Sequence, residues 1–517
     1  MPSTRRIFLE QAASMAIAQA MPGMKRLQAP QSALTPLRTL ALAPFVDALP
    51  LPEIVRNTGL PVTLTMREIR AKVHRDVPAT RMWSYGPAAM APLVETRARQ
   101  PLTIRWVNNL PAKHFLPIDY SLHGSGHDVP EVRAAVHLHG AKTASKDDGY
   151  PEDWFVPGQS RTCHYPMDQE ATALWFHDHA MGINRLNTYA GLFGMLLVRD
   201  EVEDALQLPS GAYEVPLILY DRDFLADGEL LYDVSGDPAK PWIPEFSADG
   251  ILVNGKIRPY LEVEPRIYRF RVVNVANSRF FQLSLSDGQA FWQIGCDQGL
   301  LAAPVAQHSV VLGCAERADL LVDFSGLAGK TTHLRTGAFD IVQFRVKGQA
   351  AVAHKPVPRV LRSIARTPES EAVTTRTITL HDYKDDVDRS MVMLLNRKHW
   401  HEPTTEFPKL HTAEIWEFVN LTDDTHPMHL HLVRFQILDR RPFDTTAYLM
   451  EKTLRFTGQA EAPAAHEMGW KDVVQCPPGL VTRIIVRFEG YAGRYLYHCH
   501  ILEHEANDMM RPFEVVV

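Results

Sequence analysis

Short runs of alternating or β-branched apolar residues dominate the chain, and clusters of Pro, Gly and Asp separate these runs. Stretches with the period of an α-helix are nearly absent, and 37 prolines and 29 glycines interrupt the sequence often enough to keep most elements short. The pattern therefore predicts an all-β fold class, with the strands assembled into sandwiches or barrels.

A five-residue pattern recurs once in each third of the chain and indicates an internal repeat. Apolar residues two positions apart are followed by Val-Asn, as in a half-buried strand that runs into a turn. The copies occupy residues 104–108, 270–274 and 416–420, and a second strand candidate follows each copy at 194–198, 319–324 and 513–517. We predict three copies of one β unit, with domains over residues 36–204, 205–368 and 369–517 separated by polar or Pro-containing linkers.

The charge balance argues against nucleic acid as a partner. The 517 residues include 54 Lys and Arg against 60 Asp and Glu, a formal net charge of −6, and no basic run stands out. No run of about 18 apolar residues is present, so no membrane span is predicted. We expect a soluble monomer whose partners are small molecules.

The N-terminal region has the features of a targeting segment. Residues 4–9, Thr-Arg-Arg-Ile-Phe-Leu, resemble a twin-arginine export signal. An Ala-rich segment follows at 12–21, and Ala-Gln-Ala at 18–20 has the form of a cleavage site. We expect residues 1–35 to be a signal and linker that the twin-arginine export machinery reads, and the mature protein to be periplasmic or secreted.

Five cysteines are too few for a scaffold built on disulfides, and no two form a C-x-x-C pair. Export would permit a disulfide among Cys163, Cys296, Cys314 and Cys476, and the sequence leaves the pairing open. Cys499 differs from these four because a histidine lies on each side of it.

Histidines two positions apart are the strongest chemical signal in the sequence. With 23 His, a random arrangement would contain about one His-x-His. Five are present: His137/His139, His177/His179, His399/His401, His429/His431 and His498/His500. Residues i and i+2 of a strand point to the same face, so each pair on a strand offers two imidazoles to one metal ion. Imidazole binds copper, zinc, iron and nickel. Four such pairs supply eight nitrogens, which suits a cluster of about three ions.

The pair around Cys499 predicts two metal centres on one strand. The thiolate must point away from the face that His498 and His500 share. His504 and Met509 follow downstream, and His426 begins a His-Pro-Met-His-Leu-His run. Two His, one Cys and a weak axial Met make a blue-copper electron-transfer site. Electrons that arrive at the thiolate would then have a short covalent route to the cluster.

Other histidines are interpreted as surface or structural residues. His399 and His401 have no partner motif in the sequence, and the same holds for His114, His123, His127 and His164. Cys476 likewise matches no metal motif and is expected to be structural. The scattered methionines other than Met509 are expected to fill the core.

The metal motifs resemble those of multicopper oxidases, and within that family the branch of bacterial spore-coat laccases and bilirubin oxidases. The resemblance rests on residues 137–140, 175–179, 426–431 and 498–509, together with residues 44–50, 148–152, 252–256 and 509–512. It covers nearly the whole chain after the export signal. It implies three cupredoxin-like Greek-key domains and four copper ions, with a mononuclear blue copper in the last domain and a trinuclear cluster between the first domain and the last.

The resemblance also implies a role for each ligand. The blue copper would be bound by His426, Cys499, His504 and Met509. The single copper of the cluster would be bound by His137 and His429. One copper of the coupled pair would be bound by His139, His177 and His500, and the other by His179, His431 and His498.

Two acidic residues match family positions beside the cluster. Asp148 lies nine residues after His139, and Glu505 directly follows His504. Reduction of dioxygen consumes protons at a buried cluster, and burial raises the pKa of a carboxyl group towards working pH. We expect Asp148 and Glu505 to be catalytic residues that relay protons.

The expected activity is that of a laccase-like oxidase. Four one-electron oxidations of phenols, aromatic amines or bilirubin at the exposed edge of His504 would be coupled to reduction of dioxygen to two waters. An alternative is a metallo-oxidase that acts on Cu(I), Mn(II) or Fe(II), although no Met-rich insertion is present. A non-enzymatic cupredoxin scaffold is disfavoured because all twelve ligand positions are filled.

Overall fold

The β-strands that the hydrophobic pattern predicts account for most of the regular structure. The computed structural model describes residues 35–348 and 355–517, so the predicted export signal lies outside the described residues except for Thr35. Among the residues so described, no helix has the length and apolar character needed to cross a bilayer.

The first part of the chain forms two sheets over one core. The strands are β1 (Ile54–Arg56), β2 (Val62–Ala71), β3 (Thr80–Ser84), β4 (Leu93–Arg97), β5 (Leu102–Asn109), β6 (Val136–His139), β7 (Ser160–Tyr165), β8 (Thr172–Asp178) and β9 (Phe193–Arg199). Their orders in the two sheets are β3-β2-β5-β7 and β1-β4-β9-β8-β6. Apolar positions of β2 and β5 alternate with polar ones, and their buried side chains pack against β8 and β9.

The middle part forms a second pair of sheets with its own apolar core. The strand orders are β13-β12-β10-β15-β20-β17-β18, with β11 on β10, and β14-β22-β21-β16-β19. The strands are β10 (Glu214–Phe224), β11 (Leu230–Leu231), β12 (Gly250–Val253), β13 (Lys256–Ile257), β14 (Tyr260–Val263), β15 (Ile267–Asn274), β16 (Phe281–Leu285), β17 (Phe291–Cys296), β18 (Gly299–Gln307), β19 (Ser309–Leu312), β20 (Arg317–Asp323), β21 (Thr331–Thr336) and β22 (Phe339–Val346).

The last part repeats the arrangement around a third core. The strand orders are β24-β23-β25-β29-β27 and β28-β26-β30-β31. The strands are β23 (Ala372–Lys384), β24 (Ser390–Leu395), β25 (Ala413–Asn420), β26 (His426–Leu430), β27 (Phe435–Pro442), β28 (Val473–Cys476), β29 (Leu480–Arg487), β30 (Gly493–Cys499) and β31 (Met510–Val515).

Helices are few and short. The α-helices of the described residues are α1 (Asn184–Ala190), α2 (Glu201–Leu206), α3 (Thr445–Glu451) and α4 (Leu502–Glu505). Single 3₁₀ turns occupy Thr39–Ala41, Ser145–Asp147, Gly211–Tyr213, Ser325–Leu327, Glu369–Glu371 and Ala465–Glu467. The predicted boundary at 204/205 falls inside α2, so this polar stretch contains a short helix. The domain boundaries themselves stay a prediction.

The recurring Val-Asn pattern marks equivalent strands. The β5, β15 and β25 strands each pair in parallel with the long strand that precedes them, β2, β10 and β23. The last residue of each of these strands is an asparagine with the same hydrogen bonds: Asn108, Asn274 and Asn420. Each Oδ1 accepts a hydrogen bond from the backbone N–H two residues later, and each Nδ2 donates to backbone carbonyl oxygens. The strand therefore ends in an Asx turn in all three copies.

The second strand candidates of the three copies are not all equivalent. Residues 194–198 lie in β9 and residues 513–517 reach into β31, and both strands pair with a histidine-bearing strand. Residues 319–323 of the middle candidate lie in β20, which instead pairs directly with the Val-Asn strand β15. The predicted equivalence is wrong for the middle copy, since apolar alternation identifies a strand without identifying its neighbour in the sheet.

Candidate metal centre

Two pairs of neighbouring strands bring the predicted histidines together. In the first part of the chain, His137 on β6 lies opposite His177 on β8. In the last part, His429 on β26 lies opposite His498 on β30. The rings of His137 and His429 approach to 5.8 Å between centroids, so the two pairs of strands present their histidines to one buried space.

Three imidazoles converge on one point in this space. The Nε2 atom of His498 lies 3.4 Å from that of His179 and 3.3 Å from that of His431. The Nδ1 atoms of these rings point outward. That of His431 donates to Asp148 Oδ2, that of His498 donates to the Cys499 carbonyl oxygen at 3.0 Å, and that of His179 lies 3.3 Å from Glu505 Oε1. Three nitrogens that face one another in a buried site are a donor set for a metal cation.

His137 and His429 are held in matching ways. Their Nδ1 atoms each lie 2.7 Å from a backbone carbonyl oxygen, that of Asp148 for His137 and that of Asp472 for His429. Each Nδ1 therefore donates, and each Nε2 is left buried without a hydrogen-bond partner. These two Nε2 atoms are thus free to ligate.

The remaining three histidines of the cluster form a third group. Ring centroids are 5.9 Å apart for His139 and His177, and 5.1 Å apart between His500 and each of these two rings. His177 donates from Nδ1 to the Asp178 carbonyl oxygen and has a buried, unpaired Nε2. His139 has the opposite arrangement, with Nε2 on a carboxylate and Nδ1 unpaired.

A separate group surrounds the thiol of Cys499. Its Sγ lies 3.4 Å from His426 Nδ1 and 3.6 Å from His504 Nδ1, and these two nitrogens are 3.3 Å apart. Met509 is fully buried in the same apolar core, and its carbonyl accepts a hydrogen bond from the Cys499 backbone N–H. This group has the donors of a blue-copper site.

One strand connects the two groups. His498 is part of the histidine cluster, and the next residue, Cys499, is part of the thiol group. Alternation of side chains along β30 produces this division, as the sequence predicts. The two groups are therefore joined by covalent bonds through a single residue step.

The chemistry of these side chains fits copper. Burial lowers the pKa of His177 and of His426 to about 3 and keeps both imidazoles neutral, which is the form that binds metal. Buried ring nitrogens without a hydrogen-bond partner occur on seven of these histidines: His137, His139, His177, His179, His429, His500 and His504. Unpaired buried donors and acceptors are costly, so a cation that engages their lone pairs would stabilise the site. Burial raises the pKa of the Cys499 thiol, so a bound metal must displace its proton.

The two predicted acids lie behind the histidines. Asp148 Oδ2 accepts a hydrogen bond from His431 Nδ1 at 2.8 Å. Glu505 spans two rings, with Oε1 at 3.3 Å from His179 Nδ1 and Oε2 at 3.1 Å from His498 Nδ1. Both carboxylates are buried, and burial raises the pKa of Asp148 well above its usual range. They contact the outer nitrogens of candidate ligands and are positioned to hold a proton there.

Sequence reasoning missed a third carboxylate. Asp472 Oδ1 lies 3.1 Å from His139 Nε2, and Arg317 forms a two-pronged ion pair with the same carboxylate. His139 and Asp472 are 333 residues apart, and no spacing rule connects them. A buried acid that follows Trp-Lys carries no local signal of a metal site.

The predicted exposed edge of His504 is wrong. The side chain is fully buried, and its outward Nε2 has no hydrogen-bond partner among the described residues. Segments from the first and middle parts of the chain cover α4, where Trp242 packs with Leu122 and Ala506. A covering loop from elsewhere in the chain cannot be foreseen from the ligand motif.

The remaining histidines and cysteines lie outside both groups. His401 and His127 are exposed, His399 pairs with Asp508 at 2.6 Å, and His114 packs on Trp83. His123 stacks near His401, and His164 is exposed beside Thr103. All five cysteines are free thiols and buried, so the disulfide that the sequence left open does not form. Cys476 lies opposite His426 on the adjacent strand β28.

Comparison with known proteins gives one consistent family. The multicopper oxidase family profile matches residues 129–203 and 371–517. A laccase of Bacillus subtilis is 43% identical and one of Bacillus stratosphericus 42% identical, each over 92% of this chain and 99% of its own. The crystal structure of a Pediococcus acidilactici laccase superposes with a TM-score of 0.76 at 26% identity over 92% of this chain and 96% of that one. The predicted all-β fold of three cupredoxin-like domains is confirmed.

Proposed function

The chain belongs to the multicopper oxidase family, and from that premise we propose which of its residues hold the four coppers of this laccase-like enzyme. His426, Cys499, His504 and Met509 bind the blue copper. His137 and His429 bind the single copper of the cluster. One copper of the coupled pair is bound by His139, His177 and His500, and the other by His179, His431 and His498. The convergence of the His179, His431 and His498 Nε2 atoms carries the proposal.

The chain's own residues determine where electrons and protons travel. Bound copper supplies the one-electron chemistry that couples oxidation of a reductant to reduction of dioxygen to water. Cys499 and His498 connect the two sites along β30, so an electron has a covalent path between them. The full burial of all twelve ligands excludes bulk water from both sites.

Asp148 and Glu505 are the proposed proton donors. Asp148 lies on His431, and Glu505 lies between His179 and His498, so both carboxylates reach the rings of the same trio. Asn184 donates a hydrogen bond to Glu505 Oε1 at 2.5 Å and fixes its orientation. A carboxyl group held beside this trio can pass on a proton and regain one from solvent between transfers.

A small aromatic reductant is the proposed electron source. A cavity of about 610 Å³ lies beside α4 and is lined by Leu122, Trp242, Ile243, Met391 and Asn507 among others. This volume falls in the usual range for small-molecule sites. The lining combines apolar side chains, Trp242 among them, with polar and charged ones, which suits a phenol or aromatic amine that has an apolar ring and a polar group. Asn507 follows His504 by three residues, so the cavity adjoins the proposed blue-copper site.

Oxygen consumption of the copper-loaded protein tests the proposal. We expect four coppers per chain, an intense blue absorption, and rapid uptake of oxygen with a methoxyphenol. Comparison of kcat/KM for the phenol and for bilirubin distinguishes a permissive site from one shaped for a tetrapyrrole. A blue, fully loaded protein that oxidises neither would point to a metal ion such as Cu(I) or Mn(II) as the reductant.

We propose further that the protein is exported by the twin-arginine machinery to the periplasm or the medium, and that it acts as a monomer. Arg5 and Arg6 followed by an apolar segment support export. The N-terminal sequence of the protein recovered from its compartment, and its mass by size-exclusion chromatography with light scattering, test both points.

A further inference from the structure

The burial of His504 raises the question of how an electron reaches it. Its Nδ1 faces Cys499 and His426, so its Nε2 is the outward edge. That edge is buried and unpaired, and His504 is not among the residues that line the neighbouring cavity. A reductant in the cavity therefore cannot touch His504 in the described structure, and another residue must lie between them.

Trp242 occupies this intermediate position. Its indole Nε1 donates a hydrogen bond to the Glu503 carbonyl oxygen at 2.9 Å, and its ring packs on Ala506. Glu503 precedes His504 and Ala506 follows it, so these contacts lie on both sides of His504 in the sequence. Trp242 also lines the cavity, so this residue lies between the reductant site and the segment that bears His504.

The contact between Trp242 and Glu503 is rigidly held from both ends. The Trp242 backbone N–H donates to Asp119 Oδ2 at 2.8 Å, and Asp119 is buried. The Glu503 carboxylate accepts hydrogen bonds from Tyr232 at 2.8 Å, Asn277 at 2.7 Å and Ser278 at 2.6 Å. A bridge fixed by this many bonds keeps one geometry through each turnover, which favours a path for electrons.

We propose that Trp242 is the residue through which electrons enter the protein, and this rests on the proposed laccase-like function. An aromatic reductant docks against the indole and loses one electron and its hydroxyl proton, and the proton passes to solvent. The electron crosses the Trp242 Nε1–H···O=C Glu503 hydrogen bond and the adjoining peptide to His504. The oxidised copper that His426, Cys499 and His504 would hold is the acceptor, and the indole is unchanged at the end of the transfer.

The first test is the Trp242→Phe variant, which keeps an aromatic ring and removes the N–H donor. Copper-loaded protein is mixed with a methoxyphenol without oxygen, and the loss of blue absorption is followed in time. We expect the bleaching rate to fall about tenfold, as for loss of one well-placed hydrogen bond, while the blue spectrum and the reduction potential stay unchanged. Trp292→Phe, a half-buried tryptophan on β17, is the matched control and should bleach at the wild-type rate.

A second measurement does not depend on turnover. In the fully reduced enzyme under argon, 1,2-dimethoxybenzene, which lacks an oxidisable hydroxyl, should quench part of the tryptophan fluorescence of the wild type in a saturable way. Trp242→Phe should lose this quenching and Trp292→Phe should keep it. Equal quenching in all three proteins would overturn the docking of the reductant on Trp242.

Other outcomes separate this proposal from the function on which it rests. An unchanged bleaching rate in Trp242→Phe would overturn the proposal. A blue wild-type protein that the phenol does not bleach would refute the aromatic reductant instead. The same variants would then be compared with hexacyanoferrate(II), where a slower Trp242→Phe supports the path and an equal rate refutes it.

Discussion

Arg317 and Asp472 form a buried two-pronged ion pair that joins the middle part of the chain to the last part. Arg317 Nη1 donates to Asp472 Oδ1 at 2.6 Å, and Nη2 donates to Oδ2. Asp472 Oδ1 also accepts from His139 Nε2, so the pair fixes which nitrogen of His139 carries the proton. Arg317, from the middle part of the chain, thereby leaves the Nδ1 atom of His139 free for the metal that the cluster is proposed to hold.

Replacement of Arg317 should weaken copper binding at the cluster and spare the blue copper. Arg317→Lys keeps the positive charge and loses the planar fork that orients Asp472. Loss of such an outer partner lowers metal affinity about 10–100-fold. Competition with a copper chelator, with the blue absorption followed in the same sample, measures both sites at once.

Arg434→Lys is the control for this change, because Arg434 lies on the Trp470 ring and pairs with Glu170 at 3.0 Å. It should leave copper binding at both sites unaltered. Parallel loss of blue and cluster copper in Arg317→Lys would mean that Arg317 acts on folding in general and not through His139.

Cys499→Ser should abolish the blue absorption and the oxidation of organic reductants. The blue colour of such sites arises from the bond between a thiolate and copper, and a serine hydroxyl cannot replace that bond. Absorption spectroscopy and oxygen uptake after copper loading measure the two effects. Cys476→Ser changes a buried thiol on the neighbouring strand and should remain blue. A blue Cys499→Ser protein would refute the assignment.

Met509→Leu should give a blue protein with a raised reduction potential. Removal of the weak axial donor destabilises the oxidised site more than the reduced one. Leu and Met have similar volumes, so the free energy of unfolding should change by less than about 1.5 kcal/mol. Spectroelectrochemical titration gives the potential, and Met428→Leu, in the same buried core, serves as the reference. Equal potentials in the two variants would show that Met509 is not axial.

The sequence carries most of the information about the ligands because strand geometry is local. A His-x-His pair points to one face wherever it lies on a strand, and the division between Cys499 and His498 follows from the same alternation. The turn that each terminal asparagine makes at the end of a repeated strand can also be predicted from the sequence, because an Asx turn involves residues only two positions apart.

Contacts between distant segments were beyond this local reasoning. Arg317 reaches Asp472 across 155 residues, and Trp242 reaches Glu503 across 261. Only the packing of the three parts of the chain creates these contacts, and the hydrophobic periodicity of the sequence does not predict them. The burial of His504 was missed for the same reason, since the residues that cover it come from other parts of the chain.

Glu505→Gln and Asp148→Asn should slow turnover while copper remains fully bound. Each amide keeps the shape of the carboxylate and one carbonyl oxygen, but it cannot give up and regain a proton at working pH. Loss of a positioned proton donor costs about 10²–10⁴-fold in rate. Oxygen uptake across a range of pH, on samples with four coppers by metal analysis, measures the effect and any change in the pH profile.

Asp178→Asn, at a buried acid that instead accepts hydrogen bonds from Asn187 and two backbone amides, controls for a change of charge near the cluster. If Glu505→Gln and Asp148→Asn turned over at the wild-type rate with the wild-type pH profile, neither acid would deliver protons, and their contacts with His431, His179 and His498 would only orient those rings.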